Sequence, residues 1–150
     1  MSYEKTVWAG EGTLAREQEY NDHWCYERGI ITKAWLDVYA ATGDRRFYDA
    51  AKANVDQYVT ADGEILTYEP DKYNLDMICM GRTALRLFKA TGEAKYEKAC
   101  RRLIEQIKGQ PTTAEGGFWH KKLYPQQMWL DGIYMACPFM AEFAAAFGEA

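Results

Sequence analysis

Residues Gly116 to Phe139 read GGFWHKKLYPQQMWLDGIYMACPF, bringing His120 and Asp131 together with Trp119 and Trp129 in one short run. A carboxyl group among aromatic rings is suited to holding a sugar ring while a proton moves, because rings stack on apolar sugar faces and the acid donates or accepts. Two further acids keep similar company. Glu27 lies in WCYERG and Asp76 in YNLDMI, each with an aromatic residue within three positions before the carboxylate, as Asp131 has in MWLDGI.

The elements that must position these acids are helical. YERGIITKAWLDVYAATGD places Ile30, Ile31, Ala34, Trp35, Val38 and Tyr39 at helical spacing and stops at Gly43, the residue type that most readily forms a left-handed cap. In RRFYDAAKANVDQYVTAD a second helix gathers Phe47, Ala50, Ala51, Val55 and Tyr58 on one face. The pattern then recurs. LFKATGEAKYEKACRRLIEQI repeats VYAATGDRRFYDAAKANVDQY at an offset of 49, so that Gly92 answers Gly43 and Ile104 answers Val55. AAAFGEA supplies a third turn at Gly148, 56 residues further on. The spacing predicts tandem helical hairpins with a period longer than the ~34 residues of tetratricopeptide or ankyrin units.

Counting back from these glycines, Glu27, Asp76 and Asp131 lie 16, 16 and 17 residues upstream, so each turn-preceding helix is expected to begin with an acid. An acid at a helix start is ordinarily a cap or a partner for the macrodipole, worth ~0.3–1 kcal/mol, and that account suffices for Glu27. Asp76 and Asp131 have more around them than a cap requires. Stacked hairpins would crowd their carboxylates and rings onto one rim, as a sugar site needs.

Composition narrows the classes. The 150 residues are 48% hydrophobic and 15% aromatic, enough for one domain with a real core. A net charge of −4 offers no basic field for nucleic acid. Cys25, Cys79, Cys100 and Cys137 match no zinc or disulfide spacing and are expected to be buried, reduced thiols, which suits a cytoplasmic protein. No apolar stretch is expected to reach membrane-spanning length, and the polar N-terminus lacks a signal-peptide core.

H-K-x-x-Y-P-x-Q-M-W-L-D-G, with YNLD and WCYERG, closely resembles the unsaturated rhamnogalacturonyl hydrolases of glycoside hydrolase family 105. More distantly it resembles the unsaturated glucuronyl hydrolases of family 88. The resemblance implies an all-α fold, an (α/α)6 toroid of six hairpins. Residues 1–150 would form the N-terminal half of a single such domain, about three hairpins, since six units need ~300 residues or more.

The implied substrate is a lyase product, a disaccharide whose nonreducing uronate carries a C4=C5 double bond, and its cleavage would release rhamnose and an unsaturated-uronate-derived product. Asp131 matches the general acid and base and Asp76 its partner carboxylate. His120 and Trp129 match substrate-binding positions, one by hydrogen bonding and one by stacking, and Tyr26 is suggested by its place beside Glu27. No cofactor or metal is implied. The residues expected from the other half of the ring, a further His, an Arg and more Trp, are absent, so these 150 residues alone are expected to have weak or no activity. An open edge of such a half-ring is expected to drive association.

A general acid must hold its proton, whereas a helix N-terminus favours the carboxylate. Desolvation by Trp119, Met128 and Trp129, with repulsion from Asp76, is expected to supply the counterweight for Asp131. His23 is expected to be a surface or loop-anchoring residue, its pairing with Cys25 as a nucleophile is discounted, and Lys121 and Lys122 are expected to be solvated. Pro138 leaves two readings open: a kink, or a second helix beginning there. Two other classes also stay open. One is an α-solenoid-like binding scaffold, and the other is a different (α/α)6 sugar enzyme, such as a glucuronyl hydrolase or an epimerase.

Overall fold

A computed structural model describes residues 4–16 and 22–148, which form six α-helices and no strand. They are α1 (Glu4–Leu14), α2 (Tyr26–Thr42), α3 (Arg45–Asp56), α4 (Gly81–Thr91), α5 (Ala94–Lys108) and α6 (Leu130–Phe147). Two complete hairpins, α2–α3 and α4–α5, are followed by the first helix of a third. α1 was not foreseen, because Gly10 and Gly12 weaken its helical signal. Tertiary packing holds it instead. Gly10 lies against the Phe47 ring, and the Trp35 indole donates to Thr13 Oγ1 at 2.8 Å.

The hairpin turns form as the glycines require. Gly43, Gly92 and Gly148 cap α2, α4 and α6 with φ of 74°, 71° and 67°, and each N–H returns to a carbonyl of the last turn. A side chain in this left-handed region costs ~1–2 kcal/mol. The first outward turn is closed differently from the second, because Asp44 accepts from Arg46 N at the start of α3 while Glu93 makes no side-chain cap for α5.

α2, α4 and α6 are neighbours, with α3 behind α2 and α5 behind α4. Between α2 and α4 the buried hydroxyls of Thr32 and Thr83 meet at 2.8 Å. Between α4 and α6, Arg82 donates twice to Glu142, at 3.0 and 2.7 Å. A close approach sets this second contact, because a Cβ on Gly81 would stand 2.8 Å from both Phe139 Cε2 and Leu103 Cδ1. Phe139 is fully buried, and its truncation to Ala in such a core costs ~3–5 kcal/mol.

Of the two readings left open at Pro138, the structure takes neither a break nor a restart: α6 runs unbroken through it, so that residue begins no second helix. Two expectations need correction. At 18 residues and a mean hydropathy of 1.2, α6 is long and apolar enough to cross a membrane by length and composition alone. Its pattern was missed because Met135, Ala136, Phe139 and Phe143 face the core while Leu130, Ile133 and Tyr134 remain exposed. Cys137 lies on that same open face and is exposed, unlike the three other cysteines.

Candidate active site

The acids do not all begin helices. Glu27 and Asp131 do occupy the first turns of α2 and α6. Asp76 instead sits in a 3-10 turn, Leu75–Ile78, one turn ahead of α4. Asn74 builds that turn by accepting from Asp76 N at 3.0 Å. Short polar side chains favour such local closure over a continued helix, which is why α4 starts only at Gly81.

Asp76, His120 and Asp131 converge, each offering an atom within 4.8 Å of the other two. His120 Nε2 stands 3.4 Å from Asp76 Oδ1 and 4.0 Å from Asp131 Oδ2. The histidine is 1% exposed, whereas the Asp131 side chain is 52% exposed. Desolvation of Asp131 by Trp119, Met128 and Trp129 is therefore not what these residues provide, and Met128 is itself exposed. What the site does supply is proximity of a second carboxylate.

Lys121 corrects another expectation. Its ammonium lies 2.7 Å from Asp76 Oδ2 and the side chain is three-quarters shielded from solvent, so it belongs to the site and is not merely solvated. Asp76 thus has a cation on one oxygen and an imidazole facing the other. Three groups at this spacing could ligate a divalent ion, yet Lys121 already brings a positive charge to the same carboxylate.

The rings form a stack. His120 lies nearly parallel to Trp129, with centroids 4.5 Å apart at 10°, and Tyr124 stacks on the same indole at 5.1 Å and 14°. In this structure the stacking of Trp129 is made with protein rings, and the residue is 39% exposed. Tyr26, at the first position of α2, is half-open to solvent, and its phenol is pushed up first by Glu27 and to a lesser extent by Asp76. Glu27 itself lies outside the cluster, which agrees with its reading as a helix-start acid.

Two glutamines that the sequence did not single out brace the loops carrying these groups. The Gln110 amide donates to the carbonyls of Tyr73 and Trp119, both at 2.8 Å. The Gln106 amide donates to Asn74 O at 3.3 Å, and its carbonyl accepts from Tyr68 Oη at 2.7 Å. Leu75 N–H completes the link by donating to the His120 carbonyl at 3.0 Å. Both glutamines are buried, Gln106 on the amphipathic α5 and Gln110 just beyond its end.

Other candidates separate from this cluster. His23 lies in a loop, with Asp22 at 4.0 Å. Burial above all raises the Cys25 thiol and pushes that of Cys79 up to about 11, the reverse of what an activated nucleophile needs. A small hollow of about 270 Å³ lies behind Trp129, lined by Leu75, Phe118, Gly132 and Ile133. A larger one, about 880 Å³, is away from the acids, between α5 and α6, and is lined chiefly by Ile104, Ile107, Met140 and Phe143.

Residues 5–150 match the family model for Glycosyl Hydrolase Family 88. Among solved structures, the chain is similar to a family 105 glycoside hydrolase of C. acetobutylicum ATCC 824, with 38% identity and a TM-score of 0.89. The match covers 99% of this chain and 41% of that one, so the chain spans less than half the length of that structure. Its tandem hairpins are those of part of an (α/α)6 toroid.

Proposed function

Since the chain belongs to glycosyl hydrolase family 88, we propose that it forms the N-terminal portion of a single (α/α)6 hydrolase domain acting on unsaturated uronyl disaccharides. The observation that carries this reading is the meeting of Asp76, His120 and Asp131, which come from three separate segments. Acids serving only as caps would have no reason to converge on a buried histidine.

The chemistry follows from an electron-rich alkene. Asp131, the more open acid, gives its proton to C4 of the C4=C5 enol ether, and the ring oxygen stabilises the cation left at C5. Water adds to C5 and returns a proton to Asp131. The hemiketal so formed opens, and the neighbouring sugar leaves as its alcohol. Asp76, held by Lys121, supplies negative charge beside the developing cation and a site for the water. Because no glycosidic carbon is attacked, the usual link between carboxylate separation and stereochemistry does not apply. His120, Trp129 and Tyr26 contact the sugar, and no cofactor takes part.

Rhamnose is the leaving sugar in this reading, as the HKxxYPxQMWLDG motif suggests. In this reading the apolar groove between α5 and α6 and the exposed face of α6 are the edge on which further hairpins would pack, and left open that edge favours association. The experiment is to follow loss of enol-ether absorbance with unsaturated rhamnogalacturonan and glucuronan disaccharides, using the full-length protein. Faster turnover of the rhamnose-containing substrate is expected. Preference for the glucuronan substrate would move the assignment to a glucuronyl hydrolase, and turnover of neither would remove it.

A further inference from the structure

The two nitrogens of His120 meet opposite surroundings. Nε2 faces the carboxylates of Asp76 and Asp131 at 3.4 and 4.0 Å. Nδ1 is sealed inside the protein with no hydrogen-bond partner among the described residues. The surface against Nδ1 is Gly132, in the first turn of α6, where an added Cβ would stand 2.9 Å from Nδ1 and 3.2 Å from Leu75 Cδ1.

The ring has little freedom to turn away from this arrangement. Trp129 lies flat on it at 4.5 Å, and its own backbone is tied at both ends. His120 N–H donates to Gln127 O at 2.8 Å, while its carbonyl accepts from Leu75 N at 3.0 Å. A ring flip would put Cε1 where Nε2 faces the two carboxylates and so remove the nitrogen that points at them.

We propose that Gly132 is a positioning residue that locks His120 as the Nε2–H tautomer, a fixed donor aimed into the acid pair. A neutral imidazole has one N–H, and its location follows from which nitrogen finds an acceptor. A proton on Nδ1 would be buried without one, whereas a proton on Nε2 has two carboxylates in front of it. His120 therefore orients the site and does not relay protons through its far side. Gly132 permits this by letting the helix backbone close on the ring, which is the physical role of the glycine that ends the MWLDG run.

This inference rests on the hydrolase reading for its purpose but not for its test. Long-range 1H–15N correlation spectra of the full-length protein with labelled histidine report the tautomer without any turnover. The His120 signals are assigned by their loss in His120→Gln, at about pH 8, above the ordinary histidine range. The expected pattern is a protonated Nε2 and a bare Nδ1. An Nδ1–H pattern, or averaging between the two, overturns the proposal.

Gly132→Ala should shift these signals and weaken the single-tautomer pattern, and a folded variant with unchanged signals removes Gly132 from the role. If that variant does not fold, His120 substitutions decide the matter through kcat. Gln, whose amide nitrogen reaches the Nε2 position, should retain at least about ten-fold more kcat than Asn. Equal losses would contradict the lock.

Discussion

The two complete hairpins are built to one plan and differ where chemistry is placed. At the same register, Glu27 of the first answers Asp76 of the second, Gln57 answers Gln106, and Gly43 answers Gly92. The glycines behave alike, with φ of 74° and 71°. The acids do not. Glu27 stands in a regular first turn, while the Asn74-built 3-10 turn carries Asp76 towards His120 and Asp131. Gln57 is exposed, whereas Gln106 is buried against the Asp76 loop. The repeat thus provides the frame, and departures from it provide the candidate site.

The largest expected break between the hairpins is in activity. Asp131→Asn should lower kcat of the full-length protein by ~10²–10⁴, the ordinary worth of a general acid. Glu27→Gln, outside the Asp76–His120–Asp131 cluster, should change kcat by less than about three-fold. Comparable losses would erase the distinction between the acids.

Next comes the glutamine pair. Gln106→Leu takes away the acceptor of the Tyr68 hydroxyl and the donor to Gln110 Oε1, and should cost ~1–3 kcal/mol in denaturant unfolding. Gln57→Leu should cost under about 0.5 kcal/mol. The glycines sharpen the comparison from the other side. Gly43→Ala and Gly92→Ala should each cost ~1–2 kcal/mol, and equally, because nothing lies within 4 Å of a Cβ added at either.

The smallest effect is on acid stability. Burial alone would push the Asp56 carboxyl up, but hydrogen bonds from Lys52, Lys95 and Tyr96 overcome it and hold the carboxyl below its ordinary range. A folded-state value depressed in this way gives stability that is present above the unfolded value of ~3.9 and is lost as pH falls through the folded one. Asp56→Asn should therefore flatten the acid limb of the stability curve. The register-equivalent Glu105 pairs with Lys108 at the surface, and Glu105→Gln should leave that limb unchanged.

What the sequence made legible was whatever is local. Glycine turns, the apolar faces of α2 to α5 and the aromatic company of Asp76 and Asp131 are all encoded within a few residues. Lys121, Gln106 and Gln110 were missed because their roles depend on partners 32 to 45 positions away in the chain, which no periodicity reports. α1 was missed for the same reason, since Phe47 and Trp35 hold it rather than its own propensity. The exposure of Asp131 was misjudged because neighbouring Trp and Met residues in sequence do not cover it in space.

Delivery of a proton to C4 by Asp131 is tested most directly by running the reaction in deuterium oxide and locating the label by NMR. The account predicts one deuterium at C4 of the released uronate product, formed at wild-type rate only when Asp131 is intact. A product without deuterium at C4, or full-rate labelling by Asp131→Asn, would contradict it.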